Sequence, residues 1–134
     1  MLVTHLLCPI IVLRAVLKAT WLDESKRITA HAFVRDPERD PDGLSVRIAM
    51  ETNVEQWLSS YRSSCGADAL HCGRIRRLGL EIGQTEDDLE QDTSHALIVG
   101  LPSQDEDPQR AEDFATELVK IARTLDRTRR RASR

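Results

Sequence analysis

The sequence predicts an α+β domain in which a mixed or antiparallel sheet packs against two helices as a single pair of layers. The chain has 134 residues, which fits one domain. Short β-branched or alternating segments predict strands, and two longer segments carry apolar residues at helical spacing. The resulting order of three strands, a helix, three strands and a helix lacks the alternation of a doubly wound parallel sheet. We place this domain at residues 1–126 and a basic disordered tail at residues 127–134.

The first half of the chain contains the predicted strands that surround the candidate residues. Residues 10–16 (IIVLRAV) are apolar at both odd and even positions, as in a central strand whose two faces are buried. Arg14 within this segment needs a partner for its charge. Residues 20–27 predict a turn, and residues 28–34 fit either a strand or one helical turn. The segment 36–43 (DPERDPDG) is a surface loop, because its prolines and Asp-Gly pair favour turns. Residues 44–49 alternate between apolar and polar, which predicts a half-buried strand.

Two helices are predicted from their start signals. Thr52 and Glu55 form a capping-box pattern before a helix that ends near Gly66. Pro108 opens the second helix, whose apolar stripe continues to about residue 126. Between these helices, residues 69–76, 78–82 and 95–101 predict strands, and the acidic residues 86–92 predict a mobile loop. The three predicted strands have the sequences ALHCGRIR, LGLEI and HALIVGL, and the acidic segment has the sequence EDDLEQD.

Charge and aromatic content argue against a nucleic-acid-binding body. The chain has a formal net charge of −3 and only five aromatic residues, too few for base-stacking platforms. Five arginines and no acid lie in residues 127–134, so the remainder of the chain is more negative still. An acidic body repels phosphate. Nucleic acid contact is therefore expected at most through the arginine-rich tail.

Cysteine usage and hydropathy predict a cytoplasmic protein without a membrane partner. The three cysteines are an odd number at irregular spacing, as is typical of a reducing compartment (Cys8, Cys65, Cys72). The uncharged run at the start is too short to span a bilayer, and no Lys or Arg precedes it. A buried strand is the better interpretation of this segment.

Histidines provide two candidate chemistries. A zinc site would draw on His31, His71, Cys72 and His95, but adjacent residues of a strand point to opposite faces and no CxxC or HxxxH pair exists. We therefore predict no metal and no cofactor. An acid–base pair would combine His71 with His95 if their strands were neighbours.

A nucleophile and an anion site are the remaining possibilities. Cys65, Cys72 or Ser45 could attack with a histidine as base, yet Ser45 lacks the flanking glycine of a nucleophile elbow. A strand residue after a turn explains Ser45 equally well, and an apolar filler explains Cys72. Arg74 and Arg76 could bind an anion from one strand face, although a solvated face is the commoner explanation. The glycines form no phosphate-binding loop.

Five segments together resemble a group of small bacterial proteins, common in cyanobacteria, that carry no activity known to us. These segments are RITAHAF, DPDGLSV, GADALHCGRIRRLGLEI, HALIVGLP and DPQRAEDFATELVKIAR, within residues 10–123. The resemblance implies a bacterial, cytoplasmic protein and transfers no catalytic residue. Members usually have an aromatic residue before the first arginine, where this chain has Leu13. The first nine residues look like an extension or a misplaced start.

A strand with an arginine near the N-terminus (Arg14), followed by a short strand that contains a serine (Ser45), is loosely similar to the NAD-binding core of ADP-ribosyltransferase and RES-type toxin domains. It implies that Arg14 holds the dinucleotide phosphates and that Ser45 or His31 lines the nicotinamide pocket.

Two functions follow from the sequence. We expect a protein-interaction or regulatory accessory module, with an NAD-directed enzyme as the alternative. An enzyme predicts that Arg14, Ser45, His71 and His95 converge on one pocket, whereas an interaction module predicts that they scatter and that an exposed apolar patch appears.

Overall fold

A computed structural model describes residues 1–38, 40–61 and 66–123 of the chain. These residues form a six-stranded sheet in which every neighbouring pair is antiparallel. The strands are β1 (Leu2–His5), β2 (Ile11–Ala15), β3 (Leu44–Ile48), β4 (Ala67–His71), β5 (Glu81–Thr85) and β6 (His95–Val99). The predicted α+β class with an antiparallel sheet is therefore confirmed. The predicted tail at residues 127–134 lies outside the described residues.

Four α-helices accompany the sheet in the part of the chain that the structure describes. They are α1 (Val54–Ser59), α2 (Cys72–Arg77), α3 (Glu86–Gln91) and α4 (Pro108–Arg123). The sequence predicted α1 and α4, and Pro108 opens α4 as expected. Single 3-10 turns lie at Ala19–Trp21, Ala30–Phe33 and Ala49–Glu51, so residues 28–34 take the helical-turn alternative. No described helix combines the length and the hydropathy that a membrane span requires.

Three local predictions were wrong, each because a capping side chain decides the structure. Asn53, and not Thr52, caps α1 by accepting from the N–H of Gln56 at 3.1 Å. Residues 69–76 do not continue as a strand, because the His71 side chain accepts from the N–H of Gly73 at 3.2 Å and starts α2. The acidic residues 86–92 are not a loop, because Thr85 and Asp88 form a capping box at the start of α3.

The sheet order β1-β5-β6-β3-β2-β4 gives the sheet two unequal faces. One face carries the main core, in which Val12, Val46 and Ile98 pack beneath α4 residues such as Leu118. The opposite face carries a smaller cluster over β2 and β4, where Leu13 packs with Leu58 of α1. Helices thus lie on both faces, which corrects the expected single pair of layers with two helices. Since α1 is short, it covers this second face only in part.

Arg14 lies on the main-core face of β2 and is only 5% exposed. Its Nε donates to the carbonyl of Ala32 and its Nη1 to the carbonyl of Ser45, both at 2.9 Å. The guanidinium also lies 5.5 Å from the ring centroid of Trp21. Across the ladder Arg14 is in register with Asp68, which is 2% exposed. The buried charge thus connects β2, β3, β4 and the turn at Ala30–Phe33.

We predict that Arg14→Ala lowers the free energy of unfolding by about 3–5 kcal/mol, because it leaves the buried carboxylate of Asp68 without the charge beside it. Urea unfolding of the two proteins measures the difference. Lys18→Ala is the control, since Lys18 is an exposed cation just after β2, and it should change stability by less than about 0.5 kcal/mol. A loss below about 1 kcal/mol for Arg14→Ala would contradict this structural role.

Candidate functional site

Ser45 lies in the middle of the sheet and its side chain points to the less covered face. Leu44, Val46 and Ile48 of β3 are buried in the main core. Because side chains alternate along a strand, Ser45 projects to the opposite face. Gly43 before it allows a close approach, since a Cβ there would lie 2.7 Å from the carbonyl oxygen of Ile98. The Asp-Gly turn therefore fixes where β3 begins.

His95 begins β6 and reaches Ser45 diagonally across the ladder. In the β3–β6 register Ser45 is opposite Leu97, and Arg47 is opposite His95. Residues two apart on one strand share a face, so His95 and Ser45 lie on the same side of the sheet. The Nε2 atom of His95 is 3.1 Å from the Oγ atom of Ser45.

Asp88 completes the arrangement from the first turn of α3. Its Oδ1 lies 2.7 Å from Nδ1 of His95, and its Oδ2 accepts from the N–H of Thr85 at 2.9 Å. The hydroxyl of Thr85 accepts from the N–H of Asp88 at 3.1 Å. The capping box thus holds the carboxylate in place, and Asp88 is 9% exposed.

The hydrogen bonds determine which nitrogen of His95 carries the proton. An ionised carboxylate only accepts, so Nδ1 of His95 donates to Asp88. In the neutral ring Nε2 is then the acceptor, and the hydroxyl of Ser45 donates to it. Ser45, His95 and Asp88 consequently form a chain in which the serine proton can pass to an oriented imidazole. This is the geometry of a serine nucleophile with its base and orienting carboxylate.

Backbone hydrogen bonding explains why Arg14 touches this site from the other face. The N–H of Ile48 donates to the carbonyl of Ser94 at 2.7 Å. In an antiparallel ladder every second residue of a strand forms hydrogen bonds with the same neighbouring strand. Ile48 and Val46 therefore bond to β6, and the carbonyl of Ser45, which lies between such positions, points away from β6 and towards β2. In the described part of the chain, β2 pairs with β3 at Val12 and Leu13. Where that ladder stops, the guanidinium of Arg14 supplies the donor that Ser45 needs.

Two cavities meet at Ser45 and His95. The larger is an open cleft of about 660 Å³ that Met1, Val3 and Leu97 line on one side. Among the described residues, the other lining side chains include five acids and no lysine or arginine: Asp40, Asp42, Glu86, Asp87 and Asp88. The smaller cavity, of about 270 Å³, is the more enclosed and is lined by Trp57 and Tyr61 among others. A ligand carbonyl at Ser45 would therefore have access to both cavities.

The other predicted site residues do not join this cleft. His71 lies on β4, which β3 and β2 separate from β6, so three strand spacings of about 4.8 Å divide its backbone from that of His95. The expected His71–His95 acid–base pair is therefore wrong. The Nε2 of His71 instead lies 3.8 Å from Sγ of Cys8. His31 is exposed in the turn at Ala30–Phe33.

Arg14 lines the smaller cavity, whereas Cys72 lines neither of the two cavities. Three of the four residues that the enzyme hypothesis brings together, Arg14, Ser45 and His95, meet in the smaller cavity. Nε and Nη1 of the Arg14 guanidinium donate to backbone carbonyls, which does not favour the expected contact with dinucleotide phosphates. Burial raises the pKa of the Cys72 thiol to about 12, so Cys72 is almost wholly protonated at neutral pH and is a poor nucleophile. Cys65 lies outside the described residues.

The remaining sequence candidates concern ions. No group of three or more metal-ligating side chains occurs within residues 1–38, 40–61 and 66–123. Arg74 and Arg76 lie on α2 and not on a strand, which corrects the expected strand face. Arg76 donates to the carbonyl of Leu6 at 3.3 Å and lies 3.8 Å from Glu81. A neighbouring acid thus faces the expected anion site.

Asp88 is the site residue that the sequence interpretation missed. It was placed in a polar loop because seven consecutive residues carry five acids. The signal that could have found it is Thr85 followed three residues later by Asp88, which is the spacing of a capping box.

Comparison of the chain with protein-family models, with curated proteins and with solved structures found no match.

An acidic group beside the site gives a pH-dependent prediction. The Ser94 hydroxyl donates to Asp92 at 2.6 Å and Arg47 pairs with it, and these bonds lower the pKa of Asp92 to about 2. A depressed folded-state pKa contributes stability above the unfolded value near 4, and that stability disappears as the pH falls towards 2. Asp92→Asn should therefore be less stable than the wild type at pH 5, with a difference that shrinks by pH 2.

Urea unfolding at pH 5, 4, 3 and 2 measures this difference. Because the wild type and Asp92→Asn share all other carboxylates, the contributions of those groups to the pH dependence cancel in the comparison. A difference that stays constant over this range would contradict the pairing of Asp92.

Proposed function

We propose that the chain is a serine-dependent acyl-transfer enzyme that hydrolyses an ester or amide, with Ser45 as nucleophile. The observation that carries the proposal is the hydrogen-bonded chain from Ser45 through Nε2 and Nδ1 of His95 to Asp88. Each atom is the one that acyl transfer uses. The cleft beside Ser45 gives a substrate access from solvent.

The reaction assigns one role to each of the three residues. As Oγ of Ser45 attacks the substrate carbonyl carbon, Nε2 of His95 removes the hydroxyl proton, and the new C–O bond gives a tetrahedral intermediate. Asp88 orients the ring and stabilises the imidazolium. His95 then gives the proton to the leaving alcohol or amine as its bond to carbon breaks. Water, deprotonated by His95, hydrolyses the acyl-serine and restores the hydroxyl.

Charge in the cleft restricts the substrates. Carboxylates of Asp42, Glu86 and Asp87 line the cleft together with the site residues. A negative cleft repels anionic substrates and attracts cations. We therefore propose a neutral or cationic acyl substrate. The same charge gives no support to the alternative of an NAD-directed enzyme, because the pyrophosphate of NAD is anionic.

The test is hydrolysis of p-nitrophenyl acetate by the purified protein. Ser45→Ala and His95→Ala should each lower kcat by at least about 100-fold, and the double variant should be no slower than either, because the residues act as a unit. His31→Gln is the control, since His31 is an exposed histidine outside the cleft, and it should retain the wild-type rate. Equal rates for wild type and Ser45→Ala would show that the polar chain is structural.

A protein-interaction module remains a second proposal. It is supported by Met1 and Val3, whose exposures are 102% and 50% and which line the cleft beside the edge strand β1. An exposed strand edge with apolar side chains can pair with an extended peptide. With this function, a Ser45→Ala bait should capture the same partner as the wild type, and Val3→Asp should lose it.

We also infer a bacterial, cytoplasmic setting. The support is the segment resemblance described above together with the free thiols of Cys8 and Cys72, which suit a reducing compartment.

A further inference from the structure

We propose that the enclosed cavity beside Ser45 binds the acyl group of the substrate and that this group is aromatic. The proposal rests on the acyl-transfer function and adds the identity of the acyl class. Its subject is the cavity of about 270 Å³ that shares Ser45 and His95 with the open cleft.

The cavity has an apolar and aromatic part and a charged part. Trp57 and Tyr61 of the α1 region line it together with Ala15, Leu17 and Val46, and the charged lining side chains are Arg14, Asp40 and Arg47. The two rings are in edge-to-face contact, with centroids 6.4 Å apart and an interplanar angle of 79°. Aromatic walls in this arrangement accept a further ring by stacking or edge contact.

Neighbouring groups hold Trp57 in position. The guanidinium of Arg47 lies 5.8 Å from the centroid of the Trp57 ring. Arg47 is itself tied to Asp92 and donates to the Ser94 hydroxyl at 2.9 Å. Leu58, the next residue of α1, is buried in the cluster on this face. A fixed wall of this kind favours one shape of acyl group.

Size and openness decide which part of the substrate enters. A cavity of about 150 Å³ accommodates benzene, so the volume here accommodates one aromatic ring with a short linker. The open acidic cleft, which His95 also lines, suits the leaving group, which takes a proton from His95 and departs to solvent. We therefore expect an arylacetyl or similar ester, with a neutral or cationic alcohol or amine as leaving group.

The test compares phenylacetylcholine with acetylcholine, which differ only in the acyl group. Wild-type kcat/KM should be at least about 10-fold higher for the aryl ester, because each well-placed apolar group in a pocket contributes about that factor or more. Tyr61→Ala and Trp57→Leu should each reduce this ratio by at least about 5-fold. Tyr61 is 38% exposed, so its truncation should leave the protein folded. Met50→Ala, at an 84% exposed residue outside both cavities, is the control.

Binding of phenylacetamide, followed through the Trp57 indole N–H signal by NMR, tests the acyl-binding cavity separately from the acyl-transfer function. A ratio near one with both esters hydrolysed overturns the acyl subsite and leaves the acyl-transfer function intact. Binding of phenylacetamide without turnover of either ester overturns the function, and the acyl role of the cavity with it. A ratio above about 10 that both cavity variants reduce supports the assignment.

Discussion

The buried charge of Arg14 is the constraint on which the rest of this structure depends. A guanidinium with 5% exposure needs partners for its donors and for its charge. The chain supplies them from three directions, through the carbonyls of Ala32 and Ser45 and through the register with Asp68. These partners bring the turn after β2 and the two neighbouring strands to fixed positions. The carbonyl contact also holds Ser45 where the β2–β3 ladder stops, so one buried side chain supports both the sheet and the candidate nucleophile.

The candidate site arises because two local patterns meet at one edge of the open sheet face. Strand alternation turns Ser45 and His95 to the same side. The capping box of α3 then directs the second oxygen of Asp88 to the ring of His95. Both patterns have a structural cause of their own, in core burial and in helix initiation. Their combination yields an ordered Ser–His–Asp chain with solvent access, which folding alone does not require.

Much of the fold could be predicted from the sequence, because strong periodicity and turn chemistry are local. The alternation in residues 44–49 and the Pro108 helix start both gave the observed elements. The short helices α2 and α3 were not predicted, because each has only six residues and depends on a capping side chain, at His71 and Thr85 respectively. Ser45 and His95 were candidates, but their contact depends on strand order, which no single segment contains. That order also separates His71 from His95.

The most direct test of the account is the reaction of the wild-type protein with a fluorophosphonate, an electrophile that traps activated serine nucleophiles at phosphorus. Peptide mass spectrometry should find one phosphonyl group, on Ser45, formed with loss of fluoride and of the hydroxyl proton. The adduct should be absent from His95→Ala, because Nε2 of His95 accepts that proton. No adduct at Ser45, or equal labelling of Ser45 in His95→Ala, would contradict the claim that Ser45, His95 and Asp88 act as a nucleophilic unit.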